Sequence, residues 1–290
     1  MSATTAKPIT RDRRRRALRW PRFLTSAEGI VGLVLLIFIL ALALVGPLFA
    51  PHGIATPIGL PGAGPRAGAP LGTDYIGRDV LSRVLHGGWP VLRLSVITTA
   101  LTYGLGLGVG MTAGFRRSFV DSLLMRTVDV FLSFPPLLLL LLLIAGAGSG
   151  TGVLIVGIVL VLFPGAARIA RTATLEVCTT GYIEAAVSRG ERSVAILRRE
   201  VLPNIMPSIL ADLGVRFSAA VVIAASVNFL GLGAKPPTAD WGLMVAENRA
   251  IISSNPWAVL VPAALLGLLT ISVNLLADAY VRSLRGGPGR

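Results

Sequence analysis

Long runs of apolar residues without a single charge dominate the chain, separated by short segments where charge, proline and glycine collect. A helix needs about 20 predominantly apolar residues to cross a hydrocarbon core of roughly 30 Å. Gly29 to Pro51, Leu94 to Phe115, Phe217 to Ala234 and Ala250 to Ala277 are each free of charge and meet or approach that length. Val130 to Ala167 is also charge-free but too long for one crossing, and Gly146-Ala147-Gly148-Ser149-Gly150-Thr151-Gly152 divides it into a hairpin of two helices. The pattern predicts an all-α polytopic membrane protein with six transmembrane helices. Both arms of the hairpin are short, so their inner ends recruit Arg126 and Asp129 on one side and Arg168 and Arg171 on the other, at a depth where arginines snorkel. Arg126 and Asp129, about one turn apart, are expected to pair with each other.

This segmentation gives a basic cytoplasmic tail over 1–28 and a first span over 29–50. An extracytoplasmic loop follows over 51–88, then a core of five spans over 89–285 and a cytoplasmic tail over 286–290. The loop is rich in Pro, Gly and Ala up to residue 70. Near its end Val80, Leu81, Val84 and Leu85 share one helical face, with Arg78, Ser82 and Arg83 on the other, which predicts a short interfacial helix. Gly104, Gly106, Gly108, Gly110 and Gly114 lace the second span and favour close helix approach in lipid. Pro135-Pro136 and Pro164 invite kinks in the third and fourth spans.

One polar island, about 172–207, interrupts the apolar pattern between the fourth and fifth spans. Thr179 or Thr180 is placed to cap a helix that starts near Tyr182 and carries Glu184, Ala185 and Ala186. The two alanines allow a partner surface to come close. Gly190 supplies a turn that a residue with a β-carbon resists. A second helix over Ser193–Val201 puts Ile196 and Leu197 on an apolar face and Arg198, Arg199 and Glu200 towards water. Leu202-Pro203 is expected to end it, with the fifth span starting near Pro207–Leu210. Two short helices in an L shape suit insertion into a groove on a partner.

The 27 Lys and Arg residues outnumber the 14 Asp and Glu, for a net charge of +13. Lys7, Arg11, Arg13, Arg14, Arg15, Arg16, Arg19 and Arg22 fall in the N-terminal tail. With that tail inside, the cluster from Arg168 to Arg199 and the C-terminal arginines are inside too, so both termini are cytoplasmic. Arginine at an inner leaflet meets anionic lipid, and no nucleic-acid partner is needed to explain the charge. A single cysteine, Cys178, with His52 and His86 as the only histidines, gives no basis for a disulfide, a metal site or a nucleophilic constellation. The chain has no Gly-x-x-x-x-Gly-Lys-[Ser/Thr] loop, and its lysines are Lys7 and Lys235 alone, so any ATP and its magnesium belong to a separate subunit. No cofactor is expected in this chain. Ser226, Asn228, Ser272 and Asn274 are the polar candidates for a translocation path, although Asn228 and Asn274 also suit hydrogen bonds between helices. A self-sufficient secondary carrier would need ionisable groups deep in the spans, and none is expected there.

The sequence from Gly181-Tyr182-Ile183-Glu184-Ala185-Ala186 through Gly190 to Leu202-Pro203-Asn204 resembles the "EAA" coupling loop of binding-protein-dependent ABC importer permeases. Leu71-Gly72-Thr73-Asp74 with Gly77-Arg78-Asp79-Val80-Leu81-Ser82-Arg83, and Asn228-Phe229-Leu230-Gly231-Leu232-Gly233 with Trp241-Gly242, are similar to the dipeptide/oligopeptide/nickel branch and its C-type subunit. The likeness spans roughly residues 25–285. It implies a type I importer (MetI-like) permease fold in a bacterial inner membrane. It also implies a homologous second permease of B type, one or two ABC ATPase subunits, and an extracytoplasmic substrate-binding protein. The implied cargo is a peptide, with nickel or another small solute as the alternative. The same resemblance gives Tyr182, Glu184, Ala185, Ala186, Gly190, Ile196, Arg199, Leu202 and Pro203 the role of coupling to the ATPase. The family often has His where this chain has Glu200, and small or apolar residues where this chain has Ser188-Arg189-Gly190-Glu191-Arg192. Those added charges point to a dedicated ATPase with matching charges.

Overall fold

The computed structural model describes residues 26–285, so the basic tail over 1–25 and the tail over 286–290 lie outside the described residues. Ten α-helices are present among these residues. They are α1 (Ala27–Val45), α2 (Val80–Arg116), α3 (Phe119–Ser133), α4 (Pro136–Ala147), α5 (Thr151–Val177), α6 (Gly181–Ser188), α7 (Ser193–Ile196), α8 (Leu202–Phe229), α9 (Trp241–Asn248) and α10 (Trp257–Arg285). Five stretches are long and apolar enough to cross a membrane, and the bent pair α3–α4 makes a sixth if it counts as one span.

In that pair the kink invited by Pro135-Pro136 is a sharp bend. The chain turns by 89° at Phe134-Pro135, where the prolines remove backbone donors and Phe134 takes an extended conformation. Pro164 has a milder effect, because α5 runs unbroken through it. Ion pairs from α5 fix the bent arm in place. Arg168 reaches Asp129 at 2.6 Å and Arg171 grips Asp121 through two bonds of 2.6 Å. Asp129 therefore pairs across to α5 and not with Arg126 one turn away.

The tightest seam is α2 on α5. Gly106, Gly110 and Gly114 lie one above another on α2 and face Ala166, Ala170 and Thr174 on α5. A β-carbon at Gly114 would come within 2.9 Å of the Arg171 carbonyl oxygen, and one at Gly106 within 2.8 Å of the Ala166 β-carbon. Gly104 and Gly108 face open space, so the seam uses only every fourth residue. On the other side α1 packs along α10, with Glu28 paired to Arg282, and α8 runs between α5 and α10. Trp241 of α9 is fully buried among α1, α2, α8 and α10, and its indole N–H donates to the Val84 carbonyl at 2.9 Å.

The interfacial helix expected over 80–85 is instead the first turns of α2, which continues without a break for 37 residues. Arg78 and Arg83, expected on a wet face, are 1% and 0% exposed. Asp74 accepts from Arg78 Nε at 2.6 Å and from Arg83 Nη1 at 2.7 Å, and both guanidinium groups also reach Glu247 of α9, at 3.2 and 2.8 Å. Two cations and two carboxylates thus neutralise one another and join the loop to α9. Asp79 caps α2 by accepting from the Ser82 backbone N–H and hydroxyl, and lies 3.3 Å from His52 Nδ1.

Candidate functional site

The polar island folds against the end of the molecule opposite loop 51–79. Thr180 takes the N-cap position of α6, but its hydroxyl donates back to the Val177 carbonyl at 2.6 Å and does not cap the helix. One apolar face of the island points inward. Ile183, Ala186, Ile196 and Val201 are at most 2% exposed and join Met111 of α2, Ala170 and Ala173 of α5, and Ile205 and Ile209 of α8 in one core. Ala186 therefore seats the island on its own bundle and is not free for a partner. Tyr182, Glu184, Ala185, Arg199 and Pro203 are exposed and Leu202 is half-buried. Val187 and Val194, which sequence pattern alone did not single out, add exposed apolar surface at 54% and 75%.

Gly190 adopts φ +74°, the left-handed region that glycine enters without a steric penalty, and its N–H donates to the Val187 carbonyl. Arg189 and Glu191 pair across this turn at 2.7 Å. Pro203 does not stop the second helix. Residues Leu197–Val201 form a π-helical turn, and Pro203 follows in the first turn of α8, where a missing donor is tolerated. Helix α7, the π turn and α8 consequently make one continuous rod from Ser193 to Phe229. The fifth span is thus the island's own second helix prolonged, and not a new element beginning near Pro207. A cavity of about 480 Å³ lies under the island, lined by Phe115, Arg117, Cys178, Glu184 and Ile196 among others.

The four polar candidates in the spans have different surroundings. Ser226 opens onto an apolar cavity of about 520 Å³ between α8 and α10, with Val222, Phe229, Leu266 and Thr270. Asn228 is 3% exposed and donates to Asp240 Oδ1 at 2.8 Å while accepting from the Ala234 N–H at 2.7 Å, which organises the α8–α9 loop. Asn274 donates to Ser218 Oγ at 2.7 Å and ties α10 to α8. Ser272 is buried and bonds within its own helix to the Leu269 carbonyl.

Asp212 and Arg216 form a polar site inside the bundle that the apolar-run pattern hid. Tyr103 of α2 donates to Asp212 Oδ2 at 2.9 Å, Arg216 Nε donates to the same oxygen at 2.9 Å, and the guanidinium covers Gly165 of α5. The expectation that no ionisable group sits deep in the spans is corrected by this triad. It escaped because the charge-free run was counted from Phe217, one residue beyond Arg216, while the span itself was expected to start near Pro207–Leu210. A self-neutralised pair of this kind satisfies the charges internally.

Asp240 occupies the N-cap of α9, with Oδ1 accepting from the Gly242 and Leu243 N–H groups. Burial pushes its carboxyl up to about 6, against the opposing pull of those two backbone donors and of Asn228.

The family described as binding-protein-dependent transport system inner membrane component matches residues 106–286. The N-terminal TM domain of oligopeptide transport permease C matches residues 15–58. The dipeptide transport system permease protein DppC of Bacillus subtilis (strain 168) is 31% identical over 270 residues, 91% of this chain and 83% of the relative. The di/tripeptide transport system permease protein DppC of Pseudomonas aeruginosa (strain UCBPP-PA14) is 31% identical over 268 residues, 89% of this chain and 88% of the relative. The glutathione transport system permease protein GsiD of Pectobacterium atrosepticum is 31% identical over 261 residues, covering 89% and 87%. A chain of the inward-facing MetNI methionine ABC transporter shares the fold, with a TM-score of 0.59 at 22% identity over 70% of this chain and 96% of that one.

Proposed function

This chain belongs to the family of binding-protein-dependent transport system inner membrane components, and from that premise we propose that it is one of two permease subunits of an ATP-driven importer of short peptides. It is a multi-pass protein of the bacterial inner membrane. Relatives that carry dipeptides, di/tripeptides and glutathione support a peptide cargo. In this reading the island faces the cytoplasm with both termini, and loop 51–79 with α9 faces outward, where a substrate-binding protein docks. A homologous second permease completes the path. Hydrolysis of ATP with its magnesium takes place on partner ATPase subunits, and this chain performs no catalysis.

The observation that carries the proposal is the construction of the island. Its outer face offers Tyr182, Glu184, Ala185, Val187, Val194 and Arg199 to a partner, while Ile183, Ala186 and Ile196 lock its inner face to α2 and α5. A docked ATPase that changes shape thereby moves α5 and α8 together. For transport to follow, the ATP-bound form must favour one orientation of these helices over the other.

Substituting Gly190→Pro tests the coupling. Proline holds φ near −65° and lacks the N–H that bonds Val187, so the +74° turn cannot form. The expected result is a protein that inserts and assembles with the second permease but gives no ATP-driven peptide uptake in proteoliposomes. Wild-type uptake by this variant would refute the coupling role of the turn.

A further inference from the structure

A cavity of about 630 Å³ opens at the end of the bundle that carries loop 51–79, between α2, the α4–α5 turn and the α8–α9 loop. Its size falls in the range of roughly 300–1,000 Å³ that holds small-molecule ligands. Arg93 from α2 and Lys235 from the α8–α9 loop both line it and are both exposed. Neither cation has a hydrogen bond or an ion pair to another described residue. Ser149 and Thr151 add free hydroxyls to the same rim. The N-terminus of the 27-residue α5 opens there too, with no side chain capping it. Two unpaired cations, two hydroxyl donors and the positive end of a long helix converge on one space, which is the chemistry that recognises an oxyanion.

The remaining walls narrow the ligand. Leu94, Ile97, Leu154 and Ile155 supply apolar surface, and Asp240 lies in the wall as a counter-charge. A purely basic site would suit a phosphate. A site with cations at the rim, a carboxyl in the wall and apolar surface between them suits a small zwitterion with an apolar body. Resting on the peptide-importer reading, we propose that this cavity is an entry subsite for a short peptide, in which Arg93 and Lys235 bind the terminal carboxylate. Asp240 then faces the ammonium end, and the apolar walls take the side chains.

The test uses the complete transporter in phosphatidylcholine proteoliposomes, with Gly150→Cys as a reporter at the rim, where a β-carbon meets nothing within 4 Å, and Cys178→Ala to remove the native thiol. The rate of G150C labelling by a charged, membrane-impermeant maleimide is followed with dialanine or with alanyl-alanine amide, which lacks the carboxylate. At ~10 mM, above the millimolar affinity that a few polar contacts provide, dialanine is expected to slow labelling several-fold and the amide to leave it unchanged. Arg93→Gln with Lys235→Gln should abolish that protection, while Arg93→Lys with Lys235→Arg should keep most of it. Because both side chains are exposed, these variants leave the packing intact. Equal protection by acid and amide, protection that survives R93Q/K235Q, or no protection by dialanine would overturn the proposal. Protection by phosphatidylglycerol vesicles with none by dialanine would assign the cations to a lipid headgroup instead. ATP-driven dialanine uptake by proteoliposomes of the unsubstituted transporter, with the binding protein added, tests the underlying reading separately. Uptake without protection sinks this subsite alone, and absence of uptake by the unsubstituted transporter sinks the peptide reading.

Discussion

Replacing Asp74 with alanine should release loop 51–79 from α9 without dismantling the bundle. Asp74 is fully buried and accepts from the Ile76 and Arg78 N–H groups and from both Arg78 and Arg83 side chains. Without it, two guanidinium groups at most 2% exposed share the single carboxylate of Glu247. Removing one partner from a buried charge cluster costs about 3–5 kcal/mol, mostly because the charge left behind has lost its compensation. At about 1.4 kcal/mol per tenfold, that corresponds to a rise in local opening of roughly a hundredfold to a few thousandfold. The amides of Ile58 and Thr73 report it cleanly. They are held by the Gly77 and Ala63 carbonyls and not by Asp74 itself. Hydrogen exchange at these two amides, followed by mass spectrometry, should accelerate by that factor, while the α2–α5 seam stays protected. A double change, Asp74→Leu with Arg83→Met, leaves Arg78 paired with Glu247 and should recover most of the protection. Exchange at Ile58 and Thr73 within about threefold of wild type in D74A would refute the reasoning, since that is under 1 kcal/mol. So would a double variant as open as the single one.

Two further outcomes follow from packing and from burial. Gly110→Leu forces side-chain atoms into Ala170 and the Arg171 backbone, and should destabilise the α2–α5 seam by about 1–3 kcal/mol, read as a lower melting temperature of the purified protein, whereas Gly108→Ala faces open space and should change little. Asp240 has a folded-state pKa of about 6 against an ordinary value near 3.8, so its contribution to stability is fully present below about pH 4 and is lost as the pH rises through 6. Asp240→Asn keeps the oxygen that caps α9, so it should flatten the pH dependence of thermal stability between pH 5 and pH 8, and an unchanged profile would contradict the assignment.

Much of the bundle is legible in the sequence because lipid imposes a simple rule on it. Charge-free length located α1, α2, α5, α8 and α10, and glycines in the 146–152 turn located the hairpin. Gly190 announced its turn because few other residues accept a positive φ. Errors arose where a side chain meets something far away in the chain. Arg83 reads as a wet residue from its neighbours on the helix, but Asp74 of the preceding loop and Glu247, more than 160 positions later, together make its burial tolerable. Asp129 had Arg126 nearby, yet the fold brings Arg168 to it. Pro203 carries a stop signal that a preceding π turn cancels, and no local pattern marks that turn. Asp212 and Arg216 went unremarked because the charge-free count began after them, although each carries its neutralising partner one turn away.

The unbroken run from Ser193 to Phe229 has a mechanical consequence. Its 37 residues extend about 55 Å at 1.5 Å per residue. Near its middle Gly214 lets α8 lie directly on Asn274 and Ala277 of α10, and the Asn274–Ser218 bond sits one turn further on. That crossing is a fulcrum. From it the rod reaches about 32 Å towards the island and about 22 Å towards the cavity at Ser226 and Phe229. A tilt of about 10° moves the island end by roughly 6 Å and the cavity end by roughly 4 Å in the opposite sense. A displacement no larger than a side chain, applied at Val194 and Arg199, is returned at the far mouth as an aperture of similar width.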